Sequence, residues 1–455
     1  MRVVTSTDTL MLKTSLPVTV NTNTDGKWGK EGYELEITTS GVAIEASGDA
    51  GVFYACQTLR QWLPDGARLN DSGGGNPILL EPAAATPVAI PCVTIGDVPK
   101  YAWRGFMLDS GRQYQSVDYI KRTLDILAHY KFNVFHWHLT EGHGWRLEID
   151  RYPKLTSVGS KVGPWPEQEG FYSKQEVRDL VAYAAARHIT IVPEIEIPGH
   201  STAALIAYPE LTCLRRAPKA EGLISPHIFC AGREQTYTFL ENVLDEVCEM
   251  FPGKYIHLGG DEAPKTIWQK CPDCRKALAE HGLGDMHALQ IHMTNRLADH
   301  LGAKGRTAIC WGDVVTLPGP ELRKNVAVMW WNYRRHQDLG LRKAVELGHE
   351  VIMAPNYYCY LNFPVTPLLP HYGVERTFDL RMAYEKNPVL KADELPLSQR
   401  NLVLGINPCL WTDHNLVQSE LDERVYPRLL ALAELAWHTG PRESFDHFSP
   451  RIRAH

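Results

Sequence analysis

Residues 174–200 read KQEVRDLVAYAAARHITIVPEIEIPGH. The first half, KQEVRDLVAYAAARH, has the pattern of a helix. The second, ITIVPEIEI (189–197), is a short, near-continuous apolar run. A half-exposed strand alternates polar and apolar residues, whereas a strand covered on both faces does not. An apolar run placed behind a helix therefore belongs to a parallel sheet with helices over it. Seven other runs follow the same rhythm after residue 99: WRGFMLDS, FNVFHWHL, YIHLGG, TAICW, NVAVMWW, EVIMAPNYY and VLGINPCLW. Helical stretches such as VDYIKRTLDILAHY and TYTFLENVLDEVCEMF lie between several of them. Eight such units indicate an α/β protein with a (β/α)₈ TIM barrel over residues 99–455. That fold builds its site at the C-terminal ends of the strands.

Residues 1–98 differ. Alternating runs such as YELEITTSGVAIEAS, one helical stretch (AGVFYACQTLRQWL) and a further strand (VAIPCVTIGDVP) flank a Gly- and Asn-rich loop, NDSGGGNP. This reads as a small α+β accessory domain preceding the barrel. Internal repeats and low-complexity segments are absent.

The 455 residues carry a net charge of −6, with 44% hydrophobic and 22% charged residues. That is ordinary for a globular protein. Arg334-Arg335 is the most basic patch, too short to suggest a nucleic-acid partner. No apolar run is long enough to span a bilayer. The polar, alternating start is not a signal peptide. The expectation is an exported protein whose leader does not stand in this chain, with a cytoplasmic location left open. Among the ten cysteines, Cys271-Pro-Asp-Cys274 has the spacing of a metal half-site or redox pair, but a second pair at zinc spacing is missing. Cys213 and Cys230 flank a loop and could pair in an oxidising compartment.

The ends of the eight runs carry the chemistry. In chain order they lead to Asp109 and Arg112; His136, His138 and Glu141; Glu194, Glu196 and His200; Asp261-Glu262; Trp311 and Asp313; Trp330-Trp331; Tyr360 and Asn362; and Trp411 and Asp413. Each residue alone has an ordinary structural explanation. Convergence on one mouth argues otherwise, because independent structural roles would not put Trp at so many ends on one side. Trp side chains suit the C–H faces of a pyranose ring, with polar groups reading its hydroxyls. A competing reading takes His136, His138, His200 and Asp261 as ligands of a hydrolytic metal.

The stretch HLGGDE (257–262) resembles the active-site motif of the β-N-acetylhexosaminidases of glycoside hydrolase family 20. RGFMLDSGRQY, KFNVFHWHLTEGHGWRLEIDRYPKL, PEIEIPGH and YPRLLALAELAW are similar to the family's other blocks, in the same order. The resemblance implies an exo-acting retaining enzyme that removes terminal β-linked GlcNAc or GalNAc. In that family the substrate's own 2-acetamido oxygen attacks C1, giving an oxazolinium intermediate, so a protein nucleophile is not required.

By resemblance Glu262 is the general acid and base, and Asp261 holds the acetamido N–H. The neighbouring charge should raise the pKa of Glu262. His200 would pair with Glu141 and support Glu262. Arg112 would hold O3 and O4, and Tyr360 the acetamido carbonyl. Trp311, Trp331 and Trp411 would wall the pocket, with Trp330 as a substitute for Trp331 if the register slips. Asn362 would approach O6 and Asp413 would reach O4. Two positions depart from the family, which commonly has Asp at 141 and Glu at 413. The expected partners are N-acetylhexosamine-containing oligosaccharides or glycoconjugates, with no cofactor and no metal ion. A sugar-binding barrel without catalysis is the remaining rival, disfavoured because Asp261, Glu262, Tyr360 and Arg112 are all present.

Overall fold

The computed structural model describes residues 2–22, 26–71, 77–84, 86–219, 226–332, 339–363, 365, 377–413 and 415–454. Arg334-Arg335 and most of the NDSGGGNP loop lie outside the described residues. The chain forms two compact units, one of residues 1–102, 125–131 and 433–455, the other of residues 103–124 and 132–432.

The first unit is built on a seven-stranded sheet: β1 (Arg2–Leu12), β2 (Leu16–Asn21), β3 (Tyr33–Thr38), β4 (Gly41–Ala46), β5 (Ala67–Asn70), β6 (Leu79–Pro82) and β7 (Val88–Asp97). The order is β1-β7-β3-β4-β2-β6-β5, antiparallel except for β2 beside β4. Alternation along β3 and β4 turns Tyr33, Leu35, Ile37, Val42 and Ile44 inward, where Tyr54, Ala55 and Leu59 of the helix Asp49–Trp62 meet them. A lysine is buried in this unit. Lys131 donates to the Tyr33 hydroxyl at 2.8 Å and lies 3.5 Å from Asp97, which also accepts from the Trp437 indole at 2.7 Å. A buried ammonium persists only when paired in this way.

The second unit is a closed parallel barrel. Its strands are β8 (Trp103–Asp109), β9 (Val134–His138), β10 (Thr190–Glu194), β11 (Tyr255–His257), β12 (Thr307–Trp311), β13 (Val326–Trp330), β14 (Val351–Met353), β15 (Val403–Ile406) and β16 (Cys409–Leu410). Each pairs in parallel with its neighbour, and both β15 and β16 pair with β8, which closes the ring. The run VLGINPCLW is thus one stave in two pieces. Helices Lys174–Ala185, Glu234–Met250, Met286–Ala303 and Leu339–Glu346 belong to the connections. The first begins with a capping box, Ser173 and Glu176 satisfying each other's backbone N–H groups. Strand residues are buried on both faces, as in β8, β9 and β13. Among the described residues, no helix is long and apolar enough to cross a membrane.

Candidate active site

The strand ends deliver their side chains to one mouth. Asp109, the last residue of β8, is fully buried and accepts from the Arg112 backbone N–H at 2.9 Å and its guanidinium at 2.8 Å. The same guanidinium lies 3.3 Å from Glu141 and 3.7 Å from Asp413, and stacks 5.0 Å from the Trp411 ring centroid. Burial alone would weaken the charge on Arg112. Glu141, Asp109 and Asp413 outweigh it and hold the pKa well above the usual arginine value.

Glu141 continues the chain of contacts. One oxygen accepts from the Gly142 N–H at 2.8 Å and lies 2.8 Å from His200 Nδ1; the other is 3.3 Å from His138 Nε2. Burial disfavours its charge, but Arg112 and His200 prevail and keep its pKa well below the carboxylate range. The other ring nitrogen of His200 lies 3.6 Å from Asp261 and 3.6 Å from Glu262. Burial works against an imidazolium there. Glu141 and Asp261 overcome it and raise the His200 pKa well above its ordinary value.

The turn after β11 explains how two adjacent carboxylates reach one imidazole. Neighbours in a strand point to opposite faces, but β11 ends at His257 and the next residues leave extended geometry. Gly259 has φ +66°, Gly260 φ +106° and Glu262 φ +46°. A Cβ on Gly259 would fall 1.9 Å from Glu196 Oε2, and one on Gly260 would fall 2.5 Å from Val314. The glycines are thus required by both conformation and space. Glu262 pays for its own left-handed backbone with strain of the kind concentrated at functional sites. The pair ends up in different surroundings, with side-chain exposure of 12% for Asp261 and 38% for Glu262. Burial pushes the Asp261 carboxyl up to about 7; Asp313 and Glu262 reinforce this, while His200 opposes it.

Aromatic side chains form the walls. Trp311 is anchored by its indole N–H on Glu194 at 2.7 Å, and its ring centroid is 5.9 Å from that of Trp411. Trp331 donates to Asp313 at 2.6 Å and stacks on Tyr360, 6.2 Å between centroids and 10° between planes. Tyr360 also meets Trp411 at 5.9 Å. Trp330 does not share this wall: it is buried against Gly312 and Gly340. The register thus selects Trp331. Asn362 donates its amide to Asp413 at 3.3 Å, which joins it to Arg112.

These walls and charges coincide with a sequence family. The model for glycosyl hydrolase family 20, catalytic domain, matches residues 101–440, and that for domain 2 of the same family matches residues 4–98. The chain belongs to glycosyl hydrolase family 20. Its curated relatives include a β-hexosaminidase of Porphyromonas gingivalis, 39% identical over 429 residues. That alignment takes in 93% of this chain and 53% of the relative, so the chain spans about half of that protein's length. A β-hexosaminidase of Akkermansia muciniphila is 33% identical, with 93% of this chain and 83% of the relative aligned. Among solved structures, a β-N-acetylhexosaminidase from Bacteroides fragilis has a TM-score of 0.86 at 43% identity, covering 100% of this chain and 93% of that one. A GH20 exo β-N-acetylglucosaminidase from Vibrio harveyi, in complex with N-acetylglucosamine, has a TM-score of 0.84 at 26% identity, covering 100% of this chain and 75% of that one.

Beneath the family-20 mouth lies a buried tier that the sequence reading did not assemble. Glu194 lies 2.5 Å from His138, 2.9 Å from His136 and 2.9 Å from His257. Burial would raise its pKa, but the three imidazoles, His257 foremost, hold it well below the usual range. His257 was legible only as the polar residue of an apolar run, four positions before Asp261. The histidines weighed as one metal set are divided. His136 groups with Glu194 and His257, His138 with Glu194 and Glu196, and His200 with Asp261 and Glu262.

Proposed function

We propose that the protein is an exo-acting retaining β-N-acetylhexosaminidase that releases terminal non-reducing β-linked GlcNAc or GalNAc by substrate-assisted catalysis. The observation that carries this reading is the left-handed turn that brings Asp261 and Glu262 to one imidazole, one buried and one open. Two carboxylates flanking a bond from opposite sides would suit a protein nucleophile. Two on one side suit different atoms of one substrate. Glu262, the more exposed, protonates the leaving oxygen and later takes a proton from water. Asp261 holds the acetamido N–H, and its charge stabilises the cation that develops as the acetamido oxygen closes on C1. The sugar stays covalently attached to nothing but itself, and water then opens the ring with retention.

The remaining roles belong to the same proposal. Arg112, fixed by Asp109, Glu141 and Asp413, holds O3 and O4, with Asp413 reaching O4 beside it. Glu141 keeps His200 charged, and His200 positions both carboxylates. Trp311, Trp331 and Trp411 enclose the acetamido group, and Tyr360 donates to its carbonyl. Residues 1–98 act as an accessory domain to the catalytic residues 99–455. The substrates are N-acetylhexosamine-containing oligosaccharides or glycoconjugates met outside the cytoplasm, and no resident metal takes part. The family and the named hexosaminidase relatives support this reading.

The test is the substrate's own group. Aryl β-GlcNAc and β-GalNAc should be hydrolysed and an aryl β-glucoside should not. An internal nucleophile supplies roughly 7–11 kcal/mol of the barrier, which a 2-hydroxyl forfeits. A 2-fluoro sugar should leave no adduct; mass spectrometry finding one on Asp261 or Glu141 would replace this mechanism with a protein nucleophile. Activity on aryl β-GlcNAc should also survive EDTA.

A further inference from the structure

Four cysteines from two separate loops meet in the barrel unit. Thr212 and Phe229 form an antiparallel bridge, and the Cys230 N–H donates to the Leu211 carbonyl at 2.9 Å. In an antiparallel bridge the residues that follow the two partners, here Cys213 and Cys230, take diagonal positions on the same face, so both thiols turn to one side. The other pair comes from the helix Pro272–Glu280, with Cys271 at its N-cap and Cys274 in its first turn. Cys213 Sγ lies 3.8 Å from Cys274 Sγ, and Cys230 Sγ lies 3.9 Å from Cys271 Sγ and 3.7 Å from Cys274 Sγ. All four sulfurs lie within 4.8 Å of one another, none is bonded to another, and three of the four residues are buried.

The spacing has a physical meaning. Four thiolates around zinc, each about 2.3 Å from the ion in a tetrahedron, stand roughly 3.8 Å apart. The groups around the sulfurs point the same way. Arg233 Nε–H donates to Cys230 Sγ at 3.3 Å, while its other nitrogens are held by the Glu210 and Thr212 carbonyls. A thiol is a weak acceptor and attracts few donors; a metal-bound thiolate attracts them and is oriented by them. A Cβ on Gly232 would fall 2.2 Å from the Asp273 carbonyl carbon and 2.3 Å from the Cys274 nitrogen. Only glycine therefore lets this loop lie directly on the turn that carries the second pair. The N-terminus of the Pro272–Glu280 helix adds its own preference for negative charge.

We propose that Cys213, Cys230, Cys271 and Cys274 bind one structural Zn²⁺. On binding, four thiols release four protons, and the centre carries a net charge of −2, beside the Arg233 guanidinium. Four protein ligands leave no open position, so the site is a clip and not a catalyst. It ties the loop that follows β10 to the segment that follows Asp261-Glu262. The proposal does not depend on the glycosidase reading, and activity is not its readout.

Protein purified under reducing conditions without added metal should contain about one zinc per chain by plasma mass spectrometry, the count of a closed four-thiolate site. A mercurial thiol reagent should release that zinc in step with the loss of four thiols. Cobalt-loaded protein should show the intense ligand-field bands of a tetrahedral tetrathiolate. Cys230→Ser and Cys271→Ser should each abolish zinc retention and lower Tm; if neither folds, release from the wild-type protein and the cobalt spectrum decide. Wild-type protein free of zinc, a Cys213–Cys230 disulfide found by peptide mapping, or zinc retained with all four thiols alkylated would each overturn the proposal.

Discussion

Replacing the Glu262 carboxyl by an amide separates its two jobs from those of Asp261. Glu262→Gln keeps the size of the side chain and its place 3.6 Å from His200. General acid–base catalysis is worth about 10² to 10⁴ in rate, so turnover of an alkyl or oligosaccharide substrate should fall by that factor. An aryl substrate with a good leaving group needs little protonation and should lose less in the first step. Equal losses on the two substrate types would remove Glu262 from the role of acid. Asn362 offers a second test. Its amide donates to Asp413 at 3.3 Å, which in turn lies beside Arg112. Asn362→Asp exchanges that hydrogen bond for two facing carboxylates. The proposed approach of this residue to O6 predicts a larger loss of kcat/KM on a 6-sulfated GlcNAc substrate than on the plain one. A common factor on both would mean that the change acts only through Asp413 and Arg112. At this scale the residues named from the sequence lie together because strand ends in a barrel share one rim. The carboxyl that the fold pushes up, to about 7, is Asp261. Side-chain burial decides that, and burial is a property of the folded turn.

The turn from β11 to Glu262 behaves as one element. Gly259 has φ +66°, and its missing side chain leaves room for Glu196. Gly259→Ala forces both a disfavoured backbone and a displaced carboxylate, a cost of about 1–3 kcal/mol in strain. The expected result is a Tm lowered by several degrees together with a loss of kcat of at least about tenfold, because misplaced catalytic groups lose rate steeply. A normal kcat in a folded variant would show that the turn's geometry is not what aims Asp261 and Glu262. The elements were legible where their pattern was local. A near-continuous apolar run such as ITIVPEIEI announces a barrel strand by itself. Other features needed contacts that no local pattern contains. Whether Trp330 or Trp331 faces the site depends on where β13 ends, and Trp330 is taken up by Gly312 and Gly340. VLGINPCLW is divided into β15 and β16, both against β8. Cys213 and Cys230 read from the sequence only as a possible disulfide pair, because what brings them to Cys271 and Cys274 is the bridge between Thr212 and Phe229 and not a short spacing.

Across the whole molecule, the buried charges of the site set how stability responds to pH. Glu141 and Glu194 have pKa values well below the carboxylate range, chiefly because Arg112 and the histidines overcome the cost of burial. Their contribution is present above the unfolded value, 4.5, and is lost as pH falls through the folded values. Asp261 acts in the opposite sense. Its pKa rises from 3.8 unfolded to about 7 folded, mainly through burial, so the native state binds the extra proton between those values. Stability then falls as pH rises through that window. His200 and His138, raised well above 6.5 against their burial by Glu141 and Glu194 respectively, add stability that is present below that value and lost as pH rises through their folded values. The opposing limbs place the maximum for the unliganded protein near pH 4.5, with a decline that Asp261 drives up to about pH 7 and the histidines continue above 6.5. Asp261→Asn removes the group that resists ionisation and should flatten that decline, stabilising the protein by on the order of 1–3 kcal/mol at pH 8 and by little at pH 4. The same change should lower activity by about 10² or more, since the charge on Asp261 is what the transition state uses. Urea unfolding of both forms from pH 4 to 9 measures this difference. A variant that is no more stable than the wild type at pH 8 would show that Asp261 is ionised in the free enzyme at no cost to the fold.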